Sequence, residues 1–254
     1  MSDPALETEA LTKRFGSLVA VDDVDLSIER GEFRSVIGPN GAGKTTLFDL
    51  LTGAQEPSEG GVFLDGEEVT GLSPHERVHR GLGRSFQITN VFAGLTVREN
   101  VRLAVQAARD ESFRPVEEYL RRAEEFGDVN DRTARVLDRS GLTGRADEPA
   151  AALAYGDQRR LEIAIVLATD PDLVLLDEPT AGMSVDETRA TMDLVGDVLA
   201  GRTLLLIEHD VDLVMRVSDR ITVLHRGRVI AEGPPEAIAE DEAVREAYIG
   251  GVEA

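Results

Sequence analysis

Residues 38–46 read Gly38-Pro39-Asn40-Gly41-Ala42-Gly43-Lys44-Thr45-Thr46, the pattern G-x-x-x-x-G-K-[ST] with a second threonine behind it. An apolar pair, Val36 and Ile37, precedes the stretch, and Leu47, Leu50 and Leu51 follow at helical spacing. Strand, glycine-rich turn and helix, in that order, form the context in which this pattern cradles phosphate. The glycines let successive backbone N–H groups converge on one concavity, with the positive end of a helix behind it. Lys44 is then placed to reach the β- and γ-phosphates, and the Thr45 hydroxyl to ligate Mg2+. The stretch implies a nucleoside triphosphate site on an α/β, phosphate-loop core.

Composition narrows the setting. At 254 residues the chain is long enough for a full core, or a core with an insertion. It holds no run of 18 apolar residues, so no segment is expected to span a membrane. Met1-Ser2-Asp3-Pro4 is acidic and lacks the apolar stretch of a secretion signal. Cysteine is absent, which fits a cytoplasmic protein. Acidic residues number 48 against 27 basic, a net charge of −21, and every basic residue except Lys13 and Lys44 is arginine. Because the carboxylates spread from Asp3 to Glu253, they read as adaptation to a salty cytoplasm, a dedicated basic partner being the rival explanation. A broad basic face for nucleic acid is not expected.

Along the chain, residues 6–37 read as several short strands punctuated by Gly16 and Gly31, and the helix after the phosphate loop should end near Gly53. Residues 62–70 suggest another hairpin piece. From about Ile88 to Ala154 the composition turns to Arg, Glu and Ala, with Val97, Val101 and Val105 on one helical face and Tyr119 and Ala123 on another. Leu173–Leu176 and Leu204–Ile207 are short apolar runs that end in charge, as strands buried on both faces of a parallel sheet do. Ile221–Leu224 and Arg228–Ala231 suggest a closing hairpin around Arg226-Gly227, and Pro235 to Gly250 a helical tail. The expected organisation is a catalytic core of residues 1–87 and 158–235, a helical subdomain of 88–157, and a tail of 236–254.

Ligands gather at the carboxyl ends of parallel strands, and both apolar runs deliver chemistry there. Asp177 is placed to hold Mg2+, and Glu178 to polarise the water that attacks the γ-phosphate. A strand-end acid pair that caps the next helix is the plainer alternative. His209 ends the second run and can hydrogen-bond the γ-phosphate, or serve the structure alone. Gln87 stands where the core gives way to the helical stretch and could touch Mg2+ or the attacking water. Leu153-Ala154-Tyr155-Gly156-Asp157-Gln158 precedes a helix expected to begin near Arg159, a glycine turn that offers a second anion site. Two phosphate-binding turns about a hundred residues apart suggest two chains sharing each nucleotide.

Phosphate loop, Gln87, Leu153–Gln158, Leu173–Glu178 and His209, in this order, resemble the nucleotide-binding subunit of ATP-binding-cassette transporters across essentially the whole chain. The resemblance implies an α/β core of that type, with an antiparallel β subdomain and an inserted α-helical subdomain. It implies ATP and Mg2+ as ligands and a head-to-tail dimer in which Ala154, Tyr155 and Gly156 face the γ-phosphate held by the other chain's loop. Phe15 matches the aromatic that stacks on adenine, though a core phenylalanine would read the same. Membrane permease subunits are the implied partners, docked near Gln87 and Ile88–Leu95, whose apolar residues could instead pack inside the insertion. No contact with the transported substrate and no nucleic-acid partner is implied. The commonest signature is Leu-Ser-Gly-Gly-Gln, whereas Ala154 and Tyr155 stand here for the serine and first glycine. Ser184 replaces a usual aspartate, and Ile165 a typical arginine.

Residues 154–164, 205–210 and the Ala247-Tyr248-Ile249-Gly250 ending are most similar to the longer of the two paralogous ATPases of branched-chain amino-acid importers. Such a subunit pairs with itself or with its paralogue. A soluble cassette ATPase uncoupled from transport is the alternative, and a phosphate-loop GTPase lacks its Asn-Lys-x-Asp motif here.

Overall fold

A computed structural model of the chain describes residues 4–84, 91–109 and 127–249. The chain divides into two compact units. The first comprises residues 1–82, 172–178 and 202–254; the second comprises 83–171 and 179–201.

Two sheets organise the first unit. Strands β1 (Leu6–Phe15) and β2 (Leu18–Ile28), with β4 (Glu59–Leu64) and β5 (Glu67–Glu68), form an antiparallel sheet in the order β2-β1-β4-β5. The sequence suggested several short strands here. Instead two long ones run 10 and 11 residues, because register shifts after Thr8, Leu11 and Lys13 absorb the breaks in alternation without ending the ladder. The other sheet has the order β10-β9-β3-β8-β7-β6. Its members are β3 (Phe33–Ile37), β6 (Leu82–Arg84), β7 (Leu173–Asp177), β8 (Thr203–Ile207), β9 (Arg220–His225) and β10 (Arg228–Gly233). β3 runs parallel to β8 and β9, and β7 parallel to β8. The apolar runs are buried at every position, as expected of strands covered on both faces. β9 and β10 close the sheet as an antiparallel hairpin.

Helix α1 (Lys44–Thr52) follows the phosphate loop and ends on Gly53, which takes a left-handed conformation at φ 75°. Leu47, Phe48, Leu50 and Leu51 share one buried cluster with Leu6, Leu26 and Leu64 from the first sheet and Leu175 and Leu205 from the second. The opposite face of the large sheet is covered separately: Ile37, Ile221 and Val223 join Val214, Ile238 and Val244. Neighbours along β3 therefore serve different cores, Val36 one and Ile37 the other. The covering elements are α7 (Val211–Val217), α8 (Pro235–Glu240) and α9 (Glu242–Ile249). The tail is thus two helices instead of one. Asp241, extended at ψ 125°, breaks it, and its carboxylate accepts from the Val244 N–H of the next turn at 3.0 Å.

One buried cation stiffens the loop's helix. Arg77, on the short α2 (Pro74–Val78), is fully buried with no carboxylate among the partners found for it. It donates to the Leu50 and Leu51 carbonyls at 2.7 Å, and to those of Thr70 and Leu72 at 2.9 and 3.2 Å. The first two lie in the last turn of α1, where a cation suits the helix's negative end, and the Leu50 carbonyl also accepts from the Gly53 N–H at 3.2 Å. Burial pushes the Arg77 pKa down to about 10.

In the second unit, α3 (Val97–Ala107) opens on a Thr96–Glu99 capping box and buries Val97, Val101 and Val105 completely, the face expected from spacing. Its other helices are α4 (Gly127–Arg139), α5 (Tyr155–Ala168) and α6 (Val185–Val198). Tyr119 and Ala123 lie outside the described residues. No helix among the described residues is long and apolar enough to cross a membrane.

Candidate functional site

The loop between β3 and α1 is shaped by steric necessity. A Cβ on Gly38 would lie 2.1 Å from the Leu224 carbonyl oxygen of β9, and one on Gly43, at φ 104°, would lie 2.3 Å from that of Ala20 on β2. Only glycine fits at either place. The β9–β10 turn fixes the loop from outside, its Gly227 N–H donating to the Ala42 carbonyl at 2.9 Å. Ala42 is buried between them, whereas Asn40, Gly41 and Thr45 are exposed and Pro39 and Thr46 half-buried. Gly43 caps α1 with no side-chain bond, which leaves first-turn N–H groups to face whatever the loop holds.

Lys44 is only 6% exposed, and its Nζ donates to the Gly38 and Pro39 carbonyls of its own loop at 2.6 and 3.3 Å. Burial pulls its pKa below the ordinary lysine value, while the nearby Glu178 carboxylate pushes it back up. The ammonium is thus a desolvated point charge at the floor of the loop.

Parallel strand order brings the other residues to the same edge. Asp177 is the last residue of β7, pairs with Ile207 of β8 and is 4% exposed. Glu178 turns to φ +45°, a conformation that costs a non-glycine residue about 1–2 kcal/mol, and its N–H is pinned to the Ile207 carbonyl at 2.9 Å. The turn carries its carboxylate to His209, whose Nε2 lies 2.5 Å from Glu178 Oε1. It does not cap a following helix: Ser184 caps α6, in a capping box with Glu187.

Glu178, His209, Lys44 and the loop residues Asn40 to Thr46 line one open cleft of about 530 Å³, together with Phe15, Leu18 and Arg226. That volume lies within the range of small-molecule sites. Phe15 is 46% exposed at the cleft and is not a core residue. Arg226, at the tip of the β9–β10 hairpin with φ +51°, was not singled out in the sequence, because only the tertiary bond from Gly227 to Ala42 brings that turn to the loop. Gln87 lies outside the described residues.

The donor set suits a hard cation that keeps a substrate's oxygens as ligands. Among the described residues no group of three or more His, Cys, Asp or Glu could hold a metal by itself. Thr45 and Asp177 would offer one hydroxyl and one carboxylate, the sparse oxygen set that suits Mg2+ held alongside phosphates.

The turn that the sequence offered as a second anion site belongs to the other unit. α5 begins at Tyr155, not near Arg159, so Gly156 lies inside its first turn. The helix starts early because Ala154 takes the extended cap conformation and its carbonyl already accepts from Asp157 and Gln158 at 3.0 and 2.9 Å. Ala154, Tyr155 and Gly156 are all exposed, and Ala154 gives no side-chain cap. Arg159 stacks on the Tyr155 ring at 5.6 Å and pairs with Glu162 at 2.6 Å.

Phe92 also projects into solvent, 54% exposed, while buried Asn100 holds its backbone from both sides, accepting from its N–H at 2.8 Å and donating to its carbonyl at 3.1 Å. Val91 and Leu95 are half-buried, and residues 88–90 lie outside the described residues.

Comparison with known proteins agrees with this geometry. A family model for the ABC transporter matches residues 21–181, and one described as the branched-chain amino acid ATP-binding cassette transporter matches residues 228–254. The chain is 42% identical to the high-affinity branched-chain amino acid transport ATP-binding protein BraF of Pseudomonas aeruginosa, over 98% of this chain and 99% of that one. Its fold is similar to that of MJ1267, an ATP-binding cassette of an ABC transporter, in the ADP conformation, with TM-score 0.82, 30% identity, and coverage of 97% and 99%. It is also similar to the dimeric post-hydrolysis ATP-binding cassette MJ0796 bound to ADP and Pi, with TM-score 0.71, 27% identity, and coverage of 91% and 98%. The chain belongs to the ATP-binding subunits of the ABC transporter family.

Proposed function

We propose that this chain is the ATP-hydrolysing motor subunit of an importer for branched-chain amino acids. One observation carries the catalytic part: the Glu178 carboxylate, held on a strained residue at the end of a buried strand, meets His209 in the same cleft as Lys44 and the phosphate loop. Strain of this kind persists where the surrounding structure over-determines it, and such places are frequently functional. The loop amides and Lys44 bind the triphosphate, and Phe15 offers a ring to the base. Glu178 accepts the proton of the water whose oxygen bonds to the γ-phosphorus as the bridge to ADP breaks; ADP and inorganic phosphate leave. His209 orients that carboxylate and reports whether the γ-phosphate is present. Mg2+, held by Thr45 and Asp177, supplies charge neutralisation on the phosphate oxygens. Gln87 is assigned to that cation or to the attacking water on resemblance alone. Glu178→Gln should keep ATP affinity and lose turnover by about 10²–10⁴-fold; unchanged turnover removes the role from Glu178.

Two partners complete the reading. Exposed Ala154, Tyr155 and Gly156 meet the γ-phosphate held by a second cassette, either another copy or a paralogue. The Phe92 ring, on a backbone fixed by Asn100, docks on a membrane permease subunit. Phe92→Asp should abolish co-purification with the permease and spare the ATPase of the isolated subunit; a misfolded variant would mean that the ring is structural. The acidic surface adapts the protein to salt. Its melting temperature should climb as KCl is raised toward molar, because screening shortens the reach of self-repulsion. Equal stability at low salt would contradict that reading.

A further inference from the structure

Of the two lysines in the chain, Lys44 belongs to the phosphate loop, and Lys13 remains to be explained. Lys13 and Phe15 are two residues apart on β1, so the strand's period of two puts both side chains on one face. The Lys13 Nζ lies 5.2 Å from the Phe15 ring centroid, within cation–π range. The same nitrogen donates to the Glu56 carbonyl at 2.6 Å. Phe15 is the aromatic residue that lines the cleft, and it is 46% exposed there.

We propose that Lys13 is a positioning residue for the nucleotide base, its ammonium lodged between the Phe15 ring and the Glu56 carbonyl and holding that ring as a platform at the cleft mouth. The inference rests on the reading of the cleft as the ATP site. An ammonium is a compact charge that can serve a ring face and a single carbonyl at once. Lys13 acts only through Phe15 and touches neither the phosphates nor the hydrolytic carboxylate.

The test is calorimetric titration of Mg-ATP into the full-length chain, its Lys13→Met and Phe15→Ala variants, and the double variant. Lys13→Met should weaken ATP about two- to fivefold, the worth of one exposed cation–π contact, raising KM in parallel and leaving kcat in place. In the Phe15→Ala background the same substitution should add nothing, because its route to the base is gone. Wild-type affinity in Lys13→Met overturns the inference, and so does a full additional loss in the double variant. If Phe15→Ala binds ATP like wild type, the base platform itself is wrong; if the wild type binds no ATP, the assignment of the cleft falls.

Discussion

Helices α1 and α5 both begin without a side-chain cap, and they are built in opposite ways. At α1 the turn is locked: Gly38 and Gly43 sit against backbone oxygens, Ala42 is buried, Gly227 braces the loop and Arg77 ties down the far end of the helix. At α5 the turn is open: a Cβ on Gly156 would meet nothing within 4 Å, and Ala154 and Tyr155 stand in solvent without a side-chain cap. A site complete in one chain needs its own walls to hold the backbone against the ligand's charge. A turn meant to close on a ligand held by another chain must remain accessible until the two meet. The contrast supports one whole site and one half site per chain.

Substitutions probe that contrast most strongly at the closed turn. Gly43→Ala forces a Cβ into the Ala20 carbonyl at a left-handed φ and should weaken ATP by about 100-fold or more, the equivalent of about 3 kcal/mol. Gly156→Ala has open space and should leave ATP binding by the isolated chain within about twofold. It should still slow turnover by about tenfold, because a methyl group at the half site misplaces the other chain's nucleotide. Equal effects on binding at the two glycines would erase the distinction. The smallest effect should come from Ala154→Ser, which gives α5 the missing cap and should raise stability by about 1 kcal/mol, read as a higher melting temperature.

The closed site was the more legible of the two. G-x-x-x-x-G-K-[ST] specifies a local backbone, and the buried runs before Asp177 and His209 specify parallel strands, which end at one edge of the sheet; the contact between Glu178 and His209 there was not foreseen. Supports that depend on distant contacts left no local trace. Nothing near Arg226 marks its turn as a wall of the cleft, and nothing near Arg77 marks it as the cap of α1. The start of α5 was misplaced for a related reason. Alanine and glycine are poor start signals, and it was backbone geometry at Ala154, not a capping side chain, that began the helix four residues early. Phe15 was ambiguous in sequence because aromatic residues serve cores and ligand platforms alike; its exposure removes the core reading.

The most direct test of one whole site and one half site per chain is sedimentation velocity of full-length Glu178→Gln with and without saturating Mg-ATP, alone and mixed with the paralogous ATPase. Blocked hydrolysis should hold the closed state, so ATP should convert the 27.5 kDa chain into a species of about twice that mass in one of the two mixtures. A chain that binds ATP yet stays monomeric in both would show that the open turn of α5 is not the complement of another chain's phosphate loop.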